Sequence, residues 1–223
     1  MNTAIEFPPL LTGVAVPGDP WEAAQGAVQG DFEPGTVFYG IDDATFRTAI
    51  LLAPEEPLKD AIRASFAVTL GFNDALGALA PPEVAVHLKW PDGIKVNGGN
   101  CGQLRAAAST TDPDAEPDWL ILALDIPVVA DTDGTSPDKT ALHNEGCGDV
   151  LIPDLIEAWG RHMMNWLHIY LTDGFEPLHR EWLLKADGRE EGQFLGLDER
   201  GGLLLKDDQG TRILPLTDML ERP

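Results

Sequence analysis

Between Val84 and Ala108 the chain alternates strand-forming pieces with two tight turns, and this pattern restricts the possible folds more than any other part of the sequence. Val84, Val86 and Leu88 alternate with Ala85 and His87, Pro91-Asp92-Gly93 supplies a turn, and Ile94-Lys95-Val96 a second strand. Asn97-Gly98-Gly99 turns the chain again into a return strand from Cys101 to Ala108. Turns this short can only join antiparallel neighbours. Beyond the polar loop 112–118, the apolar run Trp119-Leu120-Ile121-Leu122-Ala123-Leu124 fits a central strand covered on both faces.

Helical and strand signals surround this piece. The prolines of Phe7-Pro8-Pro9-Leu10-Leu11 extend the opening stretch. Asp19-Pro20 is an N-cap followed by proline at the first helical position, which predicts a helix through Trp21-Glu22-Ala23-Ala24. Thr36–Tyr39 and Arg47–Leu52 read as strands around the polar turn Asp42-Asp43. From Pro57, Leu58, Ile62, Phe66 and Leu70 mark one face of a long helix. Residues 130–139 read as a mobile acidic loop. A second helix starts at Pro153, carries Ile156, Trp159, Met163, Leu167 and Tyr170 on one face, and stops at Asp173-Gly174. From about Gly192 three short strands with turns at 198–201 and 207–210 make a meander too small to stand alone.

Composition excludes several classes. The 223 residues suffice for one sizeable core with an appendage. Fifteen basic against 37 acidic residues give a net charge of −22, which repels phosphate backbones and argues against nucleic acid as a partner. No run approaches the ~20 apolar residues of a membrane helix, and the first residues lack a signal-like segment, so the expectation is a cytoplasmic protein away from the membrane. Cys101 and Cys147 are expected to be free buried thiols. The five histidines show no metal-ligand spacing, so no metal site is expected in the chain itself.

His87-Leu88-Lys89-Trp90-Pro91-Asp92-Gly93-Ile94 resembles the Lys-Trp-Pro-Asn-Asp signature of the biotin protein ligases. The return strand Gly99-Asn100-Cys101-Gly102-Gln103-Leu104 stands where those ligases carry Lys-Leu-Ala-Gly-Ile-Leu. Thr140-Ala141-Leu142, Glu145-Gly146, the helix from Pro153, Gly174-Phe175, Trp182 and the closing meander follow in the family's order. The resemblance extends to the related lipoate ligases and covers the chain from about residue 30 onward. It implies an α+β fold: a mixed sheet with helices on one side, plus a short C-terminal SH3-like meander, divided as 1–178 and 179–223. It also implies an enzyme that activates biotin or lipoate as an adenylate with ATP and Mg²⁺ and passes it to a lysine of an acceptor protein.

Departures from the family pattern bear on that activity. The ligases' Gly-Arg-Gly-Arg-Arg-Gly loop corresponds to Gly40-Ile41-Asp42-Asp43-Ala44-Thr45-Phe46, which brings two carboxylates to a place meant for polyphosphate. The lysine of the return strand falls at or near Gly99, and Gly-Ile-Asn after the central strand becomes Asp125-Ile126-Pro127. The resemblance makes Lys89 and Asp92 the catalytic candidates, with Lys95 as a replacement for the missing lysine. It makes Trp90, Pro91, Asn100, Cys101, Gly102 and Gln103 ligand-binding candidates. Each has a plainer reading: Lys89 as a solvated strand-end lysine, Pro91-Asp92-Gly93 as a turn, Trp90 and Cys101 as packing, Gly102 as a bulge. Related octanoyltransferases use a cysteine in a Cys-Gly pair without ATP. Cys147, before Gly148, is the candidate for that chemistry, although Glu145 and Asp149 would raise its pKa. The opposing reading is a non-catalytic relative that keeps the pocket for small-molecule binding or partner docking.

Overall fold

The computed structural model describes residues 5–130, 138–187, 193–208 and 210–221. The acidic segment 131–137 therefore lies outside the described residues. A seven-stranded mixed sheet forms the body, built from β1 (Thr12–Val16), β2 (Thr36–Gly40), β3 (Thr45–Leu52), β4 (Val86–Lys89), β5 (Gly93–Val96), β6 (Gly99–Ala108) and β7 (Leu120–Pro127). Its order is β1-β2-β3-β7-β6-β5-β4, with β1 parallel to β2 and all other neighbours antiparallel. The apolar run of β7 is central and covered on both faces, as its sequence predicts. β1 was not legible in the sequence. It is an edge strand with four of five residues exposed, so it carries no buried period.

Among the described residues five α-helices accompany the sheet: α1 (Pro20–Ala27), α2 (Leu58–Ala61), α3 (Ala64–Leu79), α4 (Ile152–Asp173) and α5 (Glu176–Lys185). The Asp19 side chain caps α1 by accepting from the Trp21 amide at 2.9 Å. The long helix expected from Pro57 is two helices, but Leu58, Ile62, Phe66 and Leu70 are all buried as its pattern requires. The loop 112–118 supplies carbonyls of Ala115 and Pro113 to the amides of Leu58 and Lys59, which would otherwise be unpaired at the start of α2. α3 and α4 lie against each other so closely that a Cβ on Gly71 would sit 2.7 Å from the Met163 nitrogen. α5, which follows Gly174, was also missed, because its ten residues bury only Leu178 and Trp182 and so show little periodicity.

The helices do not all lie on one side, which corrects the expectation from sequence. Phe46, Ile50, Leu104, Ala106, Leu122 and Leu124 join the core under α3 and α4. The alternating residues Ala49, Leu51, Ala107, Ile121 and Ala123 pack instead against Trp21 and Ala24 of α1. Strand alternation gives two faces, and α1 covers only part of the second.

The C-terminal meander is β8 (Gln193–Leu197), β9 (Leu203–Asp207) and β10 (Gly210–Leu214) in antiparallel order β10-β9-β8. It is docked on the body: Leu197, Leu203 and Leu205 enter the main core, and a Cβ on Gly201 would sit 3.0 Å from the Phe66 ring. The chain end then returns to the sheet. Leu220 pairs with Ala106, and Glu221 donates its amide to the Ala106 carbonyl at 2.8 Å, where β6 has run past the end of β5.

Candidate functional site

Strand register gathers a row of residues across the face that α1 leaves partly open. Lys89 of β4 pairs with Gly93 of β5, Gly93 with Gln103 of β6, Gln103 with Asp125 of β7, and Asp125 with Arg47 of β3. Residues directly opposite on adjacent antiparallel strands carry Cβ atoms about 5 Å apart, so Gln103, Asp125 and Arg47 form one polar strip, with Lys89 beyond it across Gly93, which has no side chain. The turn Trp90–Asp92 lies at one end of the strip. The β2–β3 turn and α1 lie at the other.

At the α1 end the charges are already engaged with one another. Arg105 lies 4.2 Å over the Trp21 ring and holds both oxygens of Glu221, at 2.6 and 2.8 Å, with Asp19 3.8 Å away. Those hydrogen bonds hold the Glu221 carboxyl below the usual carboxylate range. Only about 10 Å³ of cavity remains among Asp19, Trp21, Arg47, Arg105 and Asp125, the space of a single water. Burial pushes the Asp125 carboxyl up, more than the nearby Arg47 pulls it down. A folded-state pKa above the unfolded value means that ionising Asp125 costs stability as pH rises through both values. Asp125→Asn is therefore expected to melt higher than the natural chain at pH 7. That advantage should vanish below pH ~4, where the unfolded carboxyl too is protonated, in paired melts at the two pH values.

The β2–β3 turn is closed on itself by Asp42. Asp42 Oδ1 accepts from the amides of Ala44 and Thr45 at 3.0 and 2.9 Å, and Asp42 Oδ2 lies 3.8 Å from Arg47. Two backbone N–H groups of the turn are thus occupied by a carboxylate of the same turn.

The candidates from sequence divide by position. Lys89 reaches the open strip, and no ion pair holds it among the described residues. Asp92 is beside it, its carboxyl raised by burial and lowered by its own backbone amide and by Lys89. Gln103 and Asn100 are exposed, and Pro91 is half-buried. Lys95 is committed to an ion pair with Asp187. Trp90 is buried in the core with its indole N–H on the Gly201 carbonyl at 2.9 Å. Gly102 has φ +137, and a Cβ there would lie 2.4 Å from the Asp125 carbonyl oxygen, so β7 backbone packing demands the glycine. At Gly99 a Cβ would lie 2.8 Å from Thr140 Cγ2, so no lysine fits there unless Thr140 yields. Arg47 and Arg105 were not singled out from sequence. Their signal is a charged residue at alternating positions within apolar strands.

Cys101 and Cys147 are both free and fully buried, as expected. Burial, Glu145 and Cys147 push the Cys101 thiol up to about 12, and burial followed by Glu145 raises Cys147. A protonated, enclosed thiol is a poor nucleophile. Iodoacetamide at pH 8 is expected to leave both cysteines unmodified in the folded chain and to label both after denaturation, as read by intact mass.

The seven-stranded sheet with its helices and the small C-terminal sheet make the fold of the biotin protein ligases. The family model described as the biotin/lipoate A/B protein ligase family matches residues 7–184, and a domain of unknown function (DUF4444) matches 187–222. The chain belongs to the biotin/lipoate A/B protein ligase family. It is 45% identical to a biotin protein ligase-like protein of unknown function from Silicibacter sp. TM1040. Their structures agree with a TM-score of 0.92 over 98% of this chain and 100% of that one. The biotin–[acetyl-CoA-carboxylase] ligase of Paracoccus denitrificans is 22% identical over 97% of this chain and 94% of its own length. The biotin protein ligase of Aquifex aeolicus, solved in complex with biotin and ATP, shares the fold with a TM-score of 0.70 at 16% identity, over 92% of this chain and 94% of that one.

Proposed function

We propose that this chain is a non-adenylating relative of the biotin and lipoate ligases, binding a small carboxylic acid or docking a partner without ATP. The observation that carries this reading is the β2–β3 turn, whose Asp42 occupies the amides that would otherwise receive polyphosphate. ATP with Mg²⁺ therefore does not fit the residues present. The absence of room for a lysine at Gly99 removes a second contact that an acyl phosphate would need. The larger unit, 1–178 by the division drawn from sequence, carries the strip, and the unit 179–223 braces it through Trp90 and Glu221.

A second reading, a working ligase with an unusual phosphate grip, is favoured by one feature: Lys89 stands on the strip beside Asp92 without an ion-pair partner among the described residues. Thermal melts with biotin, lipoate and octanoate, each with and without Mg-ATP, separate the two. A ligand bound only to the folded state raises the melting temperature. The expected result is a rise, if any, with acid alone and no further rise on adding nucleotide. A rise that needs acid and nucleotide together would overturn the non-adenylating reading, and its loss in Lys89→Ala would establish the second.

A further inference from the structure

The sheet ends at β4, and part of that edge has no strand partner among the described residues. The Asn97 amide donates to the Ala85 carbonyl at 2.8 Å, so the backbone groups of Ala85 face β5. Alternation along an antiparallel pair then turns the N–H and C=O of Val86 outward, away from the sheet. Two residues on, the outward Leu88 carbonyl accepts from the Asp187 amide at 2.8 Å, and Leu88 pairs in parallel with Ala186. The edge thus accepts an added strand at Leu88, and that pairing stops there: among the described residues nothing bonds the outward groups of Val86.

Those groups border a groove of about 580 Å³ between α3, β4 and α5, within the roughly 300–1,000 Å³ common for ligand sites. Val84 and the 73% exposed Leu184 form its apolar part, Val86 lines it with only 9% of its surface exposed, and Asn73 and Asp74 stand on one wall and Lys185 on the other. Asp74 is held in place by two neutral donors, Asn73 Nδ2 at 2.9 Å and Trp166 Nε1 at 2.8 Å. They orient its carboxylate without neutralising it, and no cation pairs with Asp74 among the described residues. Lys185 already faces Glu181 at 4.0 Å. The wall therefore presents an oriented, uncompensated negative charge beside an unpaired strand edge.

We infer that this groove docks an extended polypeptide segment by strand addition to β4 at Val86, with an apolar side chain toward Val84 and Leu184 and a lysine or arginine toward Asp74. Main-chain bonds to an edge give affinity and the alternating side chains give specificity, which is how strand addition works in general. The chain's net charge of −22 draws basic segments toward it.

The test is panning of a random 12-residue phage-displayed library on the full chain, followed by anisotropy titration of the selected peptides in labelled form. Selected peptides are expected to alternate apolar residues with at least one lysine or arginine. Asp74→Asn and Leu184→Lys should each weaken them at least fivefold while melting like the natural chain. If Asp74→Asn loses stability because Trp166 and Asn73 lose their acceptor, the exposed Leu184→Lys still decides the matter. Failure to enrich any sequence, enriched peptides without a basic residue, or binding unchanged in Leu184→Lys would overturn the inference. So would self-association of the chain that both variants abolish, since the occupant would then be a second copy.

Discussion

Gly102→Ala is expected to cost about 2–6 kcal/mol of stability, combining roughly 1–3 for the strained backbone with a similar amount for overpacking. For a chain of this size that corresponds to a fall of about 10 °C in melting temperature. The argument is geometric. At φ +137 an L-residue is already strained, and the added carbon would lie 2.4 Å from the Asp125 carbonyl oxygen, 2.7 Å from Ile126 Cδ1 and 3.0 Å from Ile126 Cα. Two of those three atoms are backbone of β7, the buried strand that pairs with both β3 and β6, so it cannot step aside without breaking ladders on both sides. Gly148→Ala, with nothing within 4 Å of its Cβ, is the matched control and should be near neutral. Calorimetric melts of the two variants settle it. A Gly102→Ala loss no larger than the control would mean that the glycine is kept for a ligand's approach and not for packing.

Trp90→Ala is expected to lose about 3–5 kcal/mol, the usual range for truncating a buried aromatic, and Trp90→Phe about 1–3 kcal/mol, the cost of leaving the buried Gly201 carbonyl without its donor. Trp90 is 8% exposed, sits at the turn that carries the ligase-like signature, and donates to the Gly201 carbonyl 111 residues away. Losing it should loosen the meander first. Amide exchange in β8–β10 is expected to accelerate in Trp90→Ala well beyond exchange in β7, which relies on the main sheet for protection. Equal acceleration in both would show that Trp90 supports the whole core and does not tie the two units together.

Much of this was legible in the residues themselves. Two tight turns and an uninterrupted apolar run can be satisfied only by an antiparallel meander beside a central strand, and β4 to β7 are arranged so. Asp19-Pro20 and Asp173-Gly174 mark helix ends by chemistry that acts within one turn of chain, and both hold. The Lys-Trp-Pro stretch and the order of motifs around it pointed to the family that the comparisons establish. β1 and α5 were not legible, because an exposed edge strand and a helix burying two side chains carry almost no period.

The site was decided elsewhere. Sequence named Lys89, Trp90, Asp92, Lys95 and Gly102 together, but only the tertiary arrangement separates the lysine on the open strip from the lysine bound to Asp187, bonds Trp90 to the Gly201 carbonyl and crowds Gly102 against β7. Arg47, Gln103 and Asp125 are far apart along the chain and become neighbours only through strand register. Local chemistry sets turns, caps and periods because those interactions close within a few residues. Which charges meet, which glycine is crowded and which edge stays open depend on contacts across the sheet, and those exist only once the chain has folded.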